Sequence, residues 1–426
     1  MTIQTPDPDL SLPLFLSRCA ASLALALSAL AAQGQEAAAP PADPASAAAT
    51  AAPAPLFQPG AWQAGAWQVT PQLGVASGYN DNLRLQSSAR IASPFVAVLP
   101  SLAVARATGD DTLEFDWRSE WTRFTDSRAD DTLNSELSAS GLELVDPHTA
   151  FTWNFALQDW HDALGLAAAD QVAQTPDHFE AAAFGAVLRH DSDDAGTHRF
   201  EFEPTVSAKH YVNHRELTAI ADADTASLVG RYLYLYEPGH RLGPELRVVR
   251  THYPSDIDGL SSTDARGYLS LKWDAGAEAT GSASVGAQRR WMEAPRRNYF
   301  GLAWDIDLAW QLDPRTQFSV ATTRAANEAP GEGVDEVVLE RASIGVGHDW
   351  SARWHGTLSA STTTNHYIGS PVPRDDRIAG IDATVRWDLS RTWRVSLNYG
   401  WTKRRSEIDV FNFERQLSSI EISAAI

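Results

Sequence analysis

Charged and amide side chains occupy every second position in several segments of this sequence. Residues 113–121 read LEFDWRSEW, so a leucine, phenylalanine or tryptophan alternates with the polar residues. Side chains two residues apart lie on the same face of a β-strand, so each segment would present one polar face. A row of carboxylates, guanidiniums and amides can hold ions or hydrogen-bond the hydroxyl groups of a sugar. The candidate contact residues are Glu114, Asp116, Arg118, Glu120, Arg247, Arg266, Asp305, Asp307, Arg341, Asp382, Arg386, Arg394, Asn398 and Arg404.

A catalytic interpretation of the polar residues is weaker. Nucleophilic catalysis needs a nucleophile, a base and an orienting group at one place. Two groups have suitable residue types without a recognised hydrolase motif around them: Ser207, His210 and Asn213, and Asp159, His161 and Asp162. We therefore expect no enzymatic activity, no cofactor and no metal site.

Composition excludes several function classes. The 426 residues carry 34 basic and 54 acidic side chains, a formal net charge of -20, whereas nucleic-acid binding needs basic patches. The one cysteine, Cys19, cannot form a disulfide within the chain or a Cys/His zinc site. The chain nevertheless contains 15 Trp, 15 Phe and 10 Tyr at a mean hydropathy of -0.27, a mixture that no soluble core requires.

The N-terminal residues are typical of an exported protein. Residues 19–32 read CAASLALALSALAA, an apolar run of signal-peptide length that is too short to span a bilayer as a helix. Residues 33–66 are rich in alanine and proline and contain few side chains that pack. We predict a signal peptide over residues 1–32, a disordered periplasmic leader over residues 33–66 and one folded domain over residues 67–426.

The folded domain is predicted to be all-β, because apolar and polar residues alternate through most of it. About eight short connections, such as TGDD at residues 108–111, alternate with about nine longer polar ones, so that about 18 strands result. Both chain ends then lie on the short-turn side. An even strand number, short turns at one end and long loops at the other are typical of outer-membrane barrels. The sequence predicts a transmembrane antiparallel β-barrel of this porin-like kind.

The aromatic residues indicate which face of each strand meets lipid. Trp393, Val395, Leu397 and Tyr399 form one apolar face. A closed sheet satisfies its backbone groups within lipid, so its exterior is apolar and its lumen polar. Tryptophan is enriched at both membrane interfaces. We predict two girdles, one near the short turns and one near the loops, formed by Trp67, Trp153, Trp310, Trp350, Trp387 and Trp393, and by Trp121, Trp160, Trp291 and Trp401, respectively.

Basic residues cluster near the predicted external ends of several strands. Such a rim would neutralise lipopolysaccharide phosphates in the outer leaflet, or it would bind an acidic polysaccharide. The first interpretation is favoured because every outer-membrane barrel has this need. The rim residues are Arg289, Arg290, Arg296, Arg297, Arg324, Lys403 and Arg405.

Two short motifs resemble a family of outer-membrane β-barrel porins that includes proteins encoded in exopolysaccharide operons (EpsL-like barrels). GYNDNLR at residues 78–84 is similar to that family's first external loop, and residues 404–406 and 411–415 look like its C-terminal ending. Asn412 and Glu414 stand where the family pattern has aspartates. The resemblance implies passage of sugar polymers through the outer membrane.

The expected function is therefore a porin in the outer membrane of a Gram-negative bacterium that passively conducts polysaccharide or assists its export. Two alternatives remain: a general or small-solute diffusion porin, and a non-conducting structural barrel whose loops bind a partner. The expected partners are outer-membrane lipid, lipopolysaccharide and polysaccharide, with a periplasmic export protein as a further candidate and no nucleic acid.

Overall fold

The computed structural model describes residues 56–57, 60–162, 175–255, 259–273, 279–293, 296–328, 334–370 and 372–426. The predicted signal peptide and most of the predicted leader therefore lie outside the described residues. The strands are β1 (Trp62–Ala64), β2 (Trp67–Asn80), β3 (Ser93–Thr108), β4 (Asp111–Phe124), β5 (Thr132–Asp146), β6 (Thr149–Asp162), β7 (Asp177–Asp191), β8 (His198–Tyr211), β9 (Ala223–Glu237), β10 (His240–His252), β11 (Ser262–Trp273), β12 (Ala279–Met292), β13 (Tyr299–Asp313), β14 (Thr316–Asn327), β15 (Glu336–Ser351), β16 (Trp354–Ile368), β17 (Asp375–Asp388), β18 (Trp393–Ser406) and β19 (Phe413–Ala425).

Within the described residues, the strands β2 to β19 form one closed antiparallel barrel of eighteen strands. Each strand pairs with its neighbour in sequence, and β19 pairs with β2 from Leu417 opposite Asn80 to Ala425 opposite Gln72. This closure leaves no free edge in the wall over those residues. The predicted fold class and strand number are confirmed.

The two ends of the barrel differ in the length of their connections. Short turns join β3 to β4, β5 to β6 and β15 to β16, whereas the other end carries longer loops with the helix α1 (Arg215–Thr218) and three short 3-10 turns. In outer-membrane barrels the short turns face the periplasm. Among the described residues, no helix is long and apolar enough to cross a bilayer.

Apolar side chains point outward around the whole wall. Leu397 on β18 is 52% exposed, and its cross-strand neighbour Ile420 on β19 is 45% exposed. Their sequence neighbours Ser396 and Ser419 point the opposite way, into the lumen, because successive side chains of a strand alternate between faces. An exposed apolar belt around a closed sheet is the arrangement that lipid favours.

One of the predicted interface tryptophans has a different position. Trp160 lies on the inward face of β6, alternating with the outward Leu157, and the guanidinium of Arg118 lies 6.0 Å from its ring centroid. The girdle assignment of Trp160 is therefore wrong, because the interpretation used its distance along the strand without its parity. Trp121 does point outward and is 47% exposed.

The external end of the β14–β15 hairpin folds into the lumen. The β13–β14 pairing ends at Trp304 opposite Arg324, whereas β14 continues to Asn327 in pairing with β15 alone. Beyond this point the consecutive residues Ala325 and Ala326 are both buried, as are Val337 and Val338 on β15. Burial of consecutive residues means that both faces of the hairpin are covered, which happens only when it lies inside the barrel.

The last residues of the predicted leader are ordered. Strand β1 pairs with residues 67–69 of β2, below the point at which the C-terminus stops pairing with that strand. Before it, Phe57 is buried and its N–H donates to a carboxylate oxygen of Asp388 at 2.9 Å. The boundary of the disordered segment predicted at residue 66 is therefore wrong at its C-terminal end, because composition gave no sign of these contacts.

The inside and outside assignment can be tested on β18. Leu397→Arg would place a charge on the lipid-facing side and should cost about 2–4 kcal/mol if this position lies near the bilayer midplane. Asn398→Arg points into the lumen and should fold normally. Urea titration in lipid vesicles and heat-modifiable gel mobility measure both. Equal losses in the two variants would contradict the assignment.

Candidate functional site: the barrel lumen

The fourteen candidate contact residues named from the sequence all lie on inward-facing positions. On β4, for example, Glu114, Asp116, Arg118 and Glu120 alternate with outward aromatic side chains. The alternation of each strand therefore places these side chains in the lumen, but their surroundings there differ from one part of the wall to another.

On one side, strands β8 to β13 carry a chain of ion pairs around the wall. Arg231 contacts Glu201 at 3.2 Å and Glu245 at 2.7 Å, and it also pairs with Glu203. The chain continues through the pair of Glu245 with Arg247. At its two ends, Arg247 pairs with Asp305 at 2.9 Å, and Lys272 pairs with Glu201 at 2.6 Å.

This chain of pairs satisfies most of its own charges. Glu245 is 3% exposed, and the hydroxyl of Ser270 also donates to it at 2.8 Å. A buried charge is tolerated when paired ions and hydrogen bonds surround it. Arg266 is paired in the same way with Asp264 at 2.8 Å. This part of the wall is consequently fixed in shape.

The wall at β4 is more acidic. Arg118 donates to Glu136 on β5 at 3.0 Å, so it neutralises a carboxylate on the next strand. The carboxylates of Glu114, Asp116 and Glu120 remain on the lumen face of β4. Acidic groups along one line of a water-filled passage attract cations.

A cavity of about 450 Å³ lies against the opposite wall, between β2 and strands β14 to β19. Its lining is rich in amides and hydroxyls and includes three of the charged candidates: Gln72, Gln317, Ser319, Thr357, Ser359, Thr384, Arg386, Arg394, Ser396, Asn398, Glu421 and Ser423. Asn398 accepts a hydrogen bond from Thr384 at 3.0 Å. Many uncharged donors and acceptors therefore meet in one space.

The amides of this cavity were missed by the sequence interpretation. Gln72 and Gln317 were absent from the candidates because that search followed charges, with Asn398 the one amide included. Their parity within β2 and β14 would have placed them in the lumen. That they meet across the barrel with β18 and β19 could not be known without the closed wall.

Side chains of β12 hold the inward-folded β14–β15 hairpin in place. The amide of Gln288 donates to the carbonyl oxygen of Ala326 at 2.8 Å, and it accepts the N–H of Ala326 at 2.7 Å. The side chain thus replaces a neighbouring strand for this residue. Gln288 is fully buried and also donates to Asp264.

Arg290 belongs to this hairpin contact and not to the predicted external rim. It is 2% exposed, pairs with Glu328 and lies 3.4 Å from Glu336. Its rim assignment is wrong, because β12 points every even-numbered side chain inward and the folded hairpin then covers it. Arg296 also contacts this hairpin, through the carbonyl oxygen of Val334.

The other rim candidates are on or near the outer surface. Arg289 lies over the ring of Trp291 at 5.2 Å, Arg324 pairs with Glu340 at 2.7 Å, and Lys403 pairs with Glu414 at 3.0 Å. Arg297 and Arg405 are exposed. These cations lie near the external ends of their strands or in the external loops.

Two external contacts involve lumen or loop ion pairs. Arg404 is inward-facing but buried against Asp376, which Arg374 also contacts at 2.6 Å. Arg404 therefore closes the wall under a loop and does not line open space. In the β8–β9 loop, burial opposes the ionisation of Asp222, but hydrogen bonds from Arg215 and from a backbone N–H outweigh it and lower the pKa of Asp222.

The structure does not assemble either group of candidate catalytic residues. Ser207 and His210 are three residues apart on β8, so they point to opposite faces. Asp162 points inward and contacts Lys209 at 3.1 Å, whereas His161 points outward and stacks on His178 at 4.5 Å. Within the described part of the chain, no group of three His, Cys, Asp or Glu side chains could hold a metal ion.

A closed barrel of this kind, with an apolar exterior and a polar lumen, defines an outer-membrane β-barrel of a Gram-negative bacterium. The chain belongs to the family described as "Putative beta-barrel porin 2", which matches residues 54–425. No curated protein matches the chain.

Several solved structures are similar in fold. A BenF-like porin from Pseudomonas fluorescens Pf-5 has 11% identity and a TM-score of 0.44, over 84% of this chain and 99% of that chain. The outer membrane protein opdK from Pseudomonas aeruginosa has 10% identity and a TM-score of 0.44, over 84% and 98%. The siderophore receptor PirA from Acinetobacter baumannii has 6% identity and a TM-score of 0.43, over 84% and 80%. Likeness at this level concerns the fold and carries no argument about a transported solute.

The role of Gln288 can be tested by hydrogen exchange. Gln288→Leu removes the acceptor of the buried Ala326 N–H, which should cost about 1–3 kcal/mol. The amide of Ala326 should then exchange at least about tenfold faster, because local opening becomes easier. Gln311→Leu is the control, since Gln311 contacts only a periplasmic turn, through Asp313 and Thr316. Unchanged exchange at Ala326 would mean that the hairpin is held by other contacts.

The acidic wall at β4 predicts the ion preference of the lumen. The variant Glu114→Gln, Asp116→Asn, Glu120→Gln should select cations less strongly than the unmodified protein, because three carboxylates are lost from one line. Reversal potentials across a planar bilayer in a KCl gradient measure this. Glu340→Gln is the matched control, since Glu340 lies on the outer face beside Arg324. An unchanged reversal potential in the triple variant would show that ions follow another wall.

Proposed function

We propose that this protein is an outer-membrane channel that passively conducts polysaccharide or assists its export. The observation that carries the proposal is the cavity lined by amide and hydroxyl side chains between β2 and strands β14 to β19. Its volume of about 450 Å³ lies in the range of ligand sites, roughly 300–1,000 Å³. A polymer of hydroxyl groups can exchange hydrogen bonds with such a surface without bringing its own charge.

The charges of the lumen support the same proposal. Most of those between β8 and β13 are paired with one another, so this wall offers little net charge to bind a strongly acidic chain. The β4 carboxylates favour cations or neutral glycans over small anions. The short motifs that resemble exopolysaccharide-operon porins point in the same direction.

The surroundings of the barrel are assigned as part of this proposal. The outward cations Arg289, Arg324 and Lys403 would meet lipopolysaccharide phosphates in the outer leaflet. A periplasmic export protein would deliver the glycan at the short-turn end. The alternative function is a small-solute diffusion porin, which the polar lumen and family membership also support.

Oligosaccharide block distinguishes these functions. Fragments of the host strain's own exopolysaccharide, added to single channels in KCl, should interrupt the current. Gln317→Leu combined with Asn398→Leu should raise the blocking concentration about tenfold, because two hydrogen-bonding amides of the cavity are lost. Thr362→Val on the outer face of β16 is the control and should change nothing.

Secretion by a deletion strain gives an independent measurement. Strains lacking this gene should release less exopolysaccharide, and the unmodified gene should restore release. Conductance without block, together with normal secretion, would instead identify a small-solute porin. No conductance and normal secretion would identify a structural barrel.

A further inference from the structure

The segment before the barrel crosses part of the periplasmic opening. The N–H of Leu56 donates to the carbonyl oxygen of Ala352, in the turn between β15 and β16, at 2.9 Å. The N–H of Phe57 donates to Asp388 at the end of β17. The chain then reaches β2, where β1 pairs with residues 67–69.

The path is short enough to be drawn directly across the opening. From β17 to β2 there are three strand spacings, about 14 Å in total. The five residues between Phe57 and Trp62 span at most about 17 Å. Phe57 also lines the cavity between β2 and strands β14 to β19, so the segment lies on the lumen side of β18 and β19.

Side chains of the barrel form a shaped seat for Phe57. Arg394 places its guanidinium 4.4 Å from the centroid of the Phe57 ring, and its Nε lies 2.7 Å from Asp388. His355 lies 3.5 Å from the same carboxylate. Asp388 is fully buried, and Phe57 is 7% exposed. The seat thus combines a fixed carboxylate, which accepts a backbone N–H, with a cation over an aromatic ring.

The seat persists when the segment leaves it. Arg394 and His355 hold Asp388 without any contribution from Phe57. Two backbone hydrogen bonds and one ring contact favour the docked segment by about tenfold to a thousandfold. Such a preference is strong enough to keep the segment in place and weak enough to allow release.

We propose that this seat is a binding site for an extended peptide with an aromatic side chain, occupied by the chain's own Leu56 and Phe57, and that this occupancy partly closes the periplasmic opening. The proposal goes beyond glycan passage, and its measurement needs no glycan. A failure here would leave the proposed transport function untouched.

Two full-length variants test the closure in KCl alone. Phe57→Ala should lower the ratio of docked to undocked segment by at least about tenfold, because the buried ring and its cation contact are lost. Single channels should then conduct more, or stay open for longer. Phe300→Ala, which removes an aromatic ring on the lipid face, is the matched control.

The opposite change is a lock. Leu56→Cys with Ala352→Cys joins the segment to the turn, and oxidation should lower conductance relative to the same channel after reduction. The only native cysteine is Cys19, in the predicted signal peptide.

A peptide added in trans completes the experiment. The peptide APAPLFQPGAW, residues 52–62, should lower the conductance of the Phe57→Ala channel from the periplasmic side, whereas the same peptide with alanine at Phe57 should not. Wild-type conductance in Phe57→Ala, with no effect of the lock or the peptide, would overturn the proposal.

Discussion

The pairing of β19 with β2 is the interaction on which the rest of this structure depends. In lipid, each unpaired backbone N–H or C=O costs several kcal/mol, so a sheet inside a membrane must close. Here closure brings the two strands so near at Gly78 that a Cβ would overlap the carbonyl oxygen of Ser418 and the ring of Phe95. Glycine is therefore needed at this point of the seam.

Once the sheet is closed, inside and outside follow for every strand. The outer face accepts leucine, isoleucine and tryptophan because lipid surrounds it, and the inner face accepts charges because it can pair or hydrate them. Arg231, between Glu201, Glu203 and Glu245, shows how far pairing goes on one wall. Buried pairs of this kind add little to stability, but removing one partner is costly. They keep that wall rigid.

The opposite wall has another character. Between β2 and strands β14 to β19, amides and hydroxyls replace the continuous ion pairs, and a cavity remains. At the two ends, segments of the chain reach into the lumen: residues 56–57 from the periplasmic side and the β14–β15 hairpin from the external side. The passage is thus shaped by a paired wall, a polar wall and two inserted segments.

The sequence by itself determined the barrel, its strand number and the face on which each side chain lies. These properties are local: alternation has a period of two, turns have short signatures, and lipid selects one face. Arg394 and Asn398 were placed in the lumen for this reason. The same local rule, applied without parity, gave the wrong surroundings for Arg290 and Trp160.

Only the tertiary structure decided which inward side chains meet. Gln288 contacts Ala326 across 38 positions, and Phe57 contacts Asp388 across 331. Neither contact leaves a periodic trace, because each depends on the curvature of the closed wall and on where a loop or the N-terminal segment crosses it. The sequence therefore determined which residues face water or lipid. Closure of the barrel decided which of them remain free to contact a ligand and which are used to hold the inserted segments.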